Sequence, residues 1–271
     1  MIRRVAAAAA LPMIAGLGIA LAAPAHAITD HTTSGSTTPG HSAQRQAMQH
    51  QSLQRAAAKI KANKTSADSP LDGPFYGSCR LIVPTTARVV QDTFEVPVRV
   101  TGGCALHPGP LAIWYTGPSF EDATDGIIFA NEKSSTWDLY RETQLGTRTW
   151  KAYGAIDEAG NSYSQDTPKT TVKVGSWSGL QTSRSGNKVT LASRTVRYAT
   201  SLDRNIAWAD ESGTIQYRAN SGSAWTNLKT FKTNSAGATS YSYNTSQTRD
   251  YRVVYNENPY IWGSTSPTSR R

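Results

Sequence analysis

Phe94-Glu95-Val96-Pro97-Val98-Arg99-Val100 alternates apolar and polar side chains, the period-2 pattern of a strand with one buried face. Pro97 sits on the outward side of the alternation. It has no N–H to give a ladder, so it predicts an edge strand or a bulge. Working outward, short β-branched and apolar runs recur at 79–83, 93–101, 111–116, 127–130, 136–141, 147–155 and 170–174. Asp157-Glu158-Ala159-Gly160-Asn161 supplies a turn with residues that tolerate positive φ. A second series follows Trp177, at 188–199, 205–209, 214–219, 225–232, 239–243, 251–255 and 260–263. Two blocks of similar length with similar strand numbers predict an all-β chain of two tandem sandwiches, at 73–175 and 176–271. One larger sandwich or barrel is the alternative. The Val172–Ser176 stretch is too short to show whether the halves are independent.

The front of the chain reads differently. Arg3 and Arg4, an apolar run from Val5 to Ala23, and Ala25-His26-Ala27 make a secretory signal peptide over 1–27, which is set aside from the fold. No second apolar run is long enough to span a membrane after its cleavage. Residues 28–72 are rich in Gln, Ala, Ser, Thr and Lys without aromatics, and read as a flexible or partly helical leader. Leu53, Ala57 and Ile60 fall at helical spacing, which allows one marginal helix near 47–62.

Export sets the redox context: Cys79 and Cys104, the only cysteines, are expected to form a disulfide. It would close a loop of about 26 residues, worth roughly 3–4 kcal/mol by chain entropy. Two thiols with no nearby His or third Cys make a poor zinc site.

Ala155-Ile156-Asp157-Glu158-Ala159-Gly160-Asn161-Ser162-Tyr163-Ser164 followed by Thr170-Thr171-Val172-Lys173-Val174 resembles the last hairpin of bacterial immunoglobulin-like domains. Ile215-Gln216-Tyr217-Arg218, Trp225-Thr226-Asn227-Leu228-Lys229 and Asp250-Tyr251-Arg252-Val253-Val254-Tyr255 are similar to secreted actinobacterial immunoglobulin-like repeats. The resemblance covers about 75–271. It implies two immunoglobulin-like β-sandwiches and an extracellular or wall-associated place. It carries over no catalytic residue. The short Cys79–Cys104 spacing departs from an antibody-style bridge between sheets and favours a clamp between neighbouring strands. Tyr251 is the candidate corner tyrosine, its hydroxyl returning to backbone.

Reactive chemistry is sparse. In the sandwiches His107 is the sole histidine, among Gly and Pro, and Gly175-Ser176-Trp177-Ser178-Gly179 lacks the variable-Ser-variable order of a nucleophile elbow. Glu121, Asp122 and Asp125 invite a Ca²⁺ loop or a carboxylate pair, but nothing at recognisable spacing completes either. No metal and no cofactor is expected. Seven Trp, twelve Tyr and five Phe fall mostly on predicted strands, where core packing competes with a sugar-stacking platform.

Charge is the sharper signal. The chain carries formal net charge +9, and residues 176–271 hold twelve basic against five acidic residues. A basic domain attracts polyanions through a salt-screened field. Arg194, Arg197, Arg218, Lys229, Lys232, Arg249 and Arg252 are the candidate polyanion-binding residues. The expected protein is secreted, non-enzymatic and surface- or matrix-associated. Its expected partner is anionic cell-wall polymer or polysaccharide, and no motif supports specific nucleic acid binding. A carbohydrate-binding module using exposed aromatics, and an enzyme or inhibitor with an unrecognised site, are the alternatives.

Overall fold

β-Branched and aromatic residues at alternate positions form nineteen strands among residues 41–65, 75–105 and 111–271, the parts of the chain described by the computed structural model. The signal peptide read over 1–27 and His107 lie outside the described residues. The first series is β1 (Gly77–Ile82), β2 (Thr86–Val89), β3 (Thr93–Gly102), β4 (Leu111–Thr116), β5 (Asp125–Ala130), β6 (Ser134–Tyr140), β7 (Gly146–Thr149), β8 (Lys151–Ile156), β9 (Tyr163–Gln165) and β10 (Lys169–Val174). The second is β11 (Ser176–Ser185), β12 (Lys188–Ala199), β13 (Arg204–Ala207), β14 (Ser212–Arg218), β15 (Thr226–Lys232), β16 (Ala238–Asn244), β17 (Asp250–Tyr255), β18 (Ser264–Thr265) and β19 (Ser269–Arg270).

Both series fold the same way. β1, β3 and β6 make one layer of the first sandwich. β5, β4, the strand broken into β8 and β7, and β10 make the other. In the second sandwich β11, β12 and β16 face β15, β14, β17 and the split last strand β18/β19. Counted within each block with each split strand taken once and the short β2, β9 and β13 left out, the first, second and fifth strands oppose the fourth, third, sixth and seventh in that order. This repeated crossover order makes the fold two tandem immunoglobulin-like β-sandwiches.

Three details correct the reading of the sequence. β3 lies inside its sheet, between β1 and β6, although Pro97 argued for an edge. The reason is local: β1 pairs only as far as Arg99, so at Pro97 the strand has a neighbour on the β6 side alone. The run at 147–155 breaks at Trp150, whose N–H donates to Pro168 O (2.9 Å) while its indole Nε1 donates to Thr170 Oγ1 (3.1 Å). Residues 260–263 form a loop with one bridge at Ile261 rather than a strand.

The first core centres on Trp114, Trp137 and Trp150, fully buried, with Trp137 and Trp150 edge-to-face at 5.1 Å. The second core gathers Val189, Leu191, Ile215, Tyr251, Val253 and Tyr255. Cys79 and Cys104 are bonded, Cα–Cα 5.4 Å. Cys79 pairs with Gly102 across β1 and β3, and Cys104 lies in the short turn Gly103–Ala105 that follows β3, so the bridge is a local clamp between β1 and the end of its neighbouring strand.

Helix α1 (His41–Thr65) contains no Gly or Pro and many good helix formers. It outruns the 47–62 expected because its apolar stripe has a partner. Leu53, Ala56, Ala57 and Ile60 are buried against Ile113 of β4, Ile156 of β8 and Phe120 of the loop between β4 and β5. Gly126 and Gly154 form notches under Leu53 and Ile60, and Gln49 Nε2 donates to Gly126 O (3.0 Å). β4 therefore carries apolar side chains on both faces, Trp114 inward and Ile113 toward the helix.

The two sandwiches are joined by more than the chain. Val174 N donates to Tyr260 O (2.8 Å), Trp262 N to Val174 O (3.0 Å) and Tyr198 N to Gly175 O (3.0 Å). Trp262 Nε1 donates to Ala87 O (2.8 Å), and Lys173 Nζ lies 4.6 Å from the Trp262 ring and 3.3 Å from Glu257. Tyr198 of β12 is buried in the first core, with Trp177 and Ile261 packed on it. Hydrogen bonds and shared apolar packing fix the orientation where a bare linker would leave hinge motion.

Candidate functional site

In β14 and β17 the residues Ile215, Tyr251 and Val253 point into the core, so Gln216, Arg218 and Arg252 stand on the outer face. Arg218 pairs across the ladder with Asp250, and Asp250 with Arg270. Side chains follow: Arg270 Nη1 reaches Asp250 Oδ1 at 2.8 Å and Arg218 Nε reaches Oδ2 at 3.1 Å. The hydrogen bond from Arg270, then that from Arg218, holds the Asp250 carboxyl below its usual pKa against the opposing effect of burial. Trp225, just before β15, lies across both arginines, 4.5 Å from Arg218 and 4.2 Å from Arg252. Arg252 Nε also donates to Gln216 Oε1 (2.8 Å). The result is a half-buried indole seated on two guanidiniums.

The other candidates scatter. Arg249 stacks on Tyr217 (4.2 Å) and belongs to the same end of the sandwich. Lys229 and Lys232 are exposed on β15. Arg194 lies on the outer face of the opposite layer, since Leu191 and Ser193 of β12 turn inward, and its Nε donates to Ala236 O (3.3 Å). Arg197 donates to Tyr198 O (3.3 Å) nearer the junction. Arg218, Arg249 and Arg252 come together; Arg194 and Arg197 do not join them. Trp225, Asp250 and Arg270 were missed as members of this cluster. The hairpin implied by runs 214–219 and 225–232 would have placed Trp225 opposite Arg218.

The carboxylates weighed for calcium do not converge. Asp125 is buried and engages the Arg148 guanidinium and Trp137 Nε1 (3.2 Å). Burial raises its pKa, opposed by Arg148. Asp122 accepts from Ser119 Oγ (3.0 Å) within its own loop. Among the described residues no group of three or more His, Cys, Asp or Glu is placed to hold a metal. The groove beside α1, lined by Gln46, Gln49, His50, Leu53, Thr124 and Asp125, offers no nucleophile paired with a base. Trp114, Trp137, Trp150 and Trp208 are buried, Trp177, Trp225 and Trp262 are partly exposed, and the most exposed aromatics among the described residues are Phe75, Tyr76 and Tyr260. Tyr251 is not a corner tyrosine: its hydroxyl meets the Tyr243 hydroxyl at 2.6 Å rather than backbone.

No protein-family model matches the sequence, and no curated protein matches it significantly. Among solved structures, the human OSCAR ligand-binding domain aligns at 12% identity over 72% of this chain and 99% of that one, TM-score 0.27. The D0-D1 domain of intimin aligns at 11% identity over 72% of this chain and 98% of that one, TM-score 0.24. Both likenesses are weak, and the sandwich assignment rests on the strand order. No described helix is long and apolar enough to cross a membrane.

Proposed function

We propose that the chain is an exported, non-enzymatic binding protein of the cell surface or matrix, whose second sandwich holds anionic polymer by salt-sensitive contacts. One observation carries the reading. Among the described residues, of the twelve basic residues of 176–271 only Arg218 and Arg270 meet a carboxylate within 4 Å, and it is the same one, Asp250. The remaining charge has no ionic partner inside the sandwich and is available to an external polyanion. The disulfide fits an oxidising compartment. Retention of the mature chain on immobilised anionic and uncharged polysaccharide tests this. Retention on the anionic resin alone, lost on raising salt from about 0.05 to about 0.5 M, is the expected result. Equal retention on both resins, or no salt effect, overturns it.

A further inference from the structure

The charge of the second sandwich is not spread evenly along its length. β11 leaves the junction at Ser176 and reaches the far end at Ser185, and β14 and β17 run between the same limits. Asp203, Asp210, Glu211 and Glu257 all lie in the loops of the junction end, and Glu257 pairs with Lys173 of the first sandwich. At the far end Asp250, which faces Arg218 and Arg270, is the single acidic side chain, and Arg184, Arg249, Arg252 and Arg271 lie at the same end. Lys188, at the turn between β11 and β12, adds to them.

Arg218 and Arg270 pair with Asp250, and the other guanidiniums are held in place by neutral acceptors. Arg184 donates to Thr245 O (2.6 Å) and Gln247 O (2.8 Å). The side chain of the same Gln247 accepts from Arg249 Nε (3.1 Å). Arg249 and Arg271 exchange backbone hydrogen bonds of 2.8 and 3.0 Å. Arg271 Nε donates to Thr182 O (3.1 Å) and its Nη1 to Arg270 O (2.7 Å). Backbone carbonyls and amides position a guanidinium without cancelling its charge. Each guanidinium carries five N–H donors, and most of those at this end remain unused by the protein. Like charges at one end repel, and an external anion that shares them relieves the repulsion.

We propose that this far end is a preorganised pole for a linear phosphate polymer, polyphosphate or polyol phosphate. The proposal rests on the anionic-polymer reading above and adds to it the place and the chemistry. Phosphate is favoured because the pole is almost all arginine. The planar fork matches two oxygens of one phosphate or carboxylate at once, whereas a lysine ammonium serves any anion as a point charge, and a flexible phosphate chain can bring successive anions to neighbouring arginines where the stiff sugar rings of a polyuronate hold theirs apart. The junction end lies opposite and is fixed to the first sandwich, so the pole points away from that sandwich.

Three variants test it by binding to long-chain polyphosphate, to poly(glycerol phosphate) and to polygalacturonate at equal anion concentration. The first is Arg249→Gln with Arg252→Gln and Arg271→Gln. The second, of equal charge change, is Arg194→Gln with Lys229→Gln and Lys232→Gln. The third replaces the three pole arginines by Lys, keeping charge and removing the fork, and serves if the Gln variant does not fold. Expected is a loss of about tenfold or more in phosphate-polymer affinity for the first, with a shallower salt slope. The second should stay within about threefold, and the third should lose affinity for both phosphate polymers. No binding by the parent chain overturns the anionic-polymer reading itself. Equal losses in the first two variants overturn the pole and leave that reading standing. An unaltered third variant, or equal parental affinity for polygalacturonate, overturns the phosphate chemistry.

Discussion

Replacing Gly126 by Ala tests whether α1 is seated by shape. A Cβ at Gly126 would lie 2.9 Å from Leu53 Cγ and nearer still to both its methyls, so the whole Leu53 side chain must move. Overpacking of this kind costs about 1–3 kcal/mol. Leu53→Ala alone removes a buried side chain and leaves a cavity, at about 2–5 kcal/mol. In the double variant the new methyl enters the space the leucine vacates. The combined loss is then smaller than the sum of the single losses, by about 1–2 kcal/mol. Urea unfolding gives the global free energies. Because α1 can open without the sandwich beneath it, trypsin cleavage at the exposed Arg55, Lys59 and Lys61 gives the local ones. Each single variant should speed cleavage, and the double variant should recover part of the protection. Strict additivity, or cleavage no faster in Gly126→Ala, would refute the knob-in-notch account.

Replacing Cys79 and Cys104 together by Ser should cost roughly 3 kcal/mol in urea unfolding, since it releases a loop spanning 25 residues of separation; an unchanged midpoint would contradict a stabilising clamp. Trp262→Phe removes the donor to Ala87 O and should loosen the two sandwiches at a cost of about 1–3 kcal/mol. Residual dipolar couplings that still fit one orientation tensor would show that the indole bond is dispensable. Asp157 accepts from Asn161 N and Nδ2, each 2.9 Å, and from Tyr163 OH at 3.1 Å. Burial alone would raise its pKa, but these donors hold the carboxyl below the usual carboxylate range. A depressed folded-state value stabilises above the unfolded pKa of about 3.9, and that contribution is lost as pH falls through the folded value. Asp157→Asn should therefore flatten the acid limb of a stability profile below about pH 4, while an unchanged limb would remove Asp157 as its source.

What the sequence disclosed depended on whether one face of an element was apolar. β3 and β12 alternate cleanly, and their positions were legible within a few residues. β11 was not, because Ser, Thr, Gln and Gly fill it and its side chains are half-buried or exposed almost throughout. β2 and β9 are too short to show a period. The docking of α1 had a signal that went unread: Leu111-Ala112-Ile113-Trp114-Tyr115 is apolar at every position, and a strand wet on one face has no use for Ile113 and Tyr115 together. The basic excess was visible in composition, but its concentration at one end was not. Arg184, Arg249 and Arg271 are far apart in the chain and meet only once β11, the loop before β17 and the last strand share an end.

The most direct test of the binding account follows the arginine Nε–H resonances by NMR while polyphosphate is added at low salt. The expected result is saturable shifts at Arg249, Arg252 and Arg270 that reverse on adding salt, with Arg80, Arg88 and Arg99 of the first sandwich unmoved. Shifts confined to the first sandwich, or none at any concentration, would contradict it.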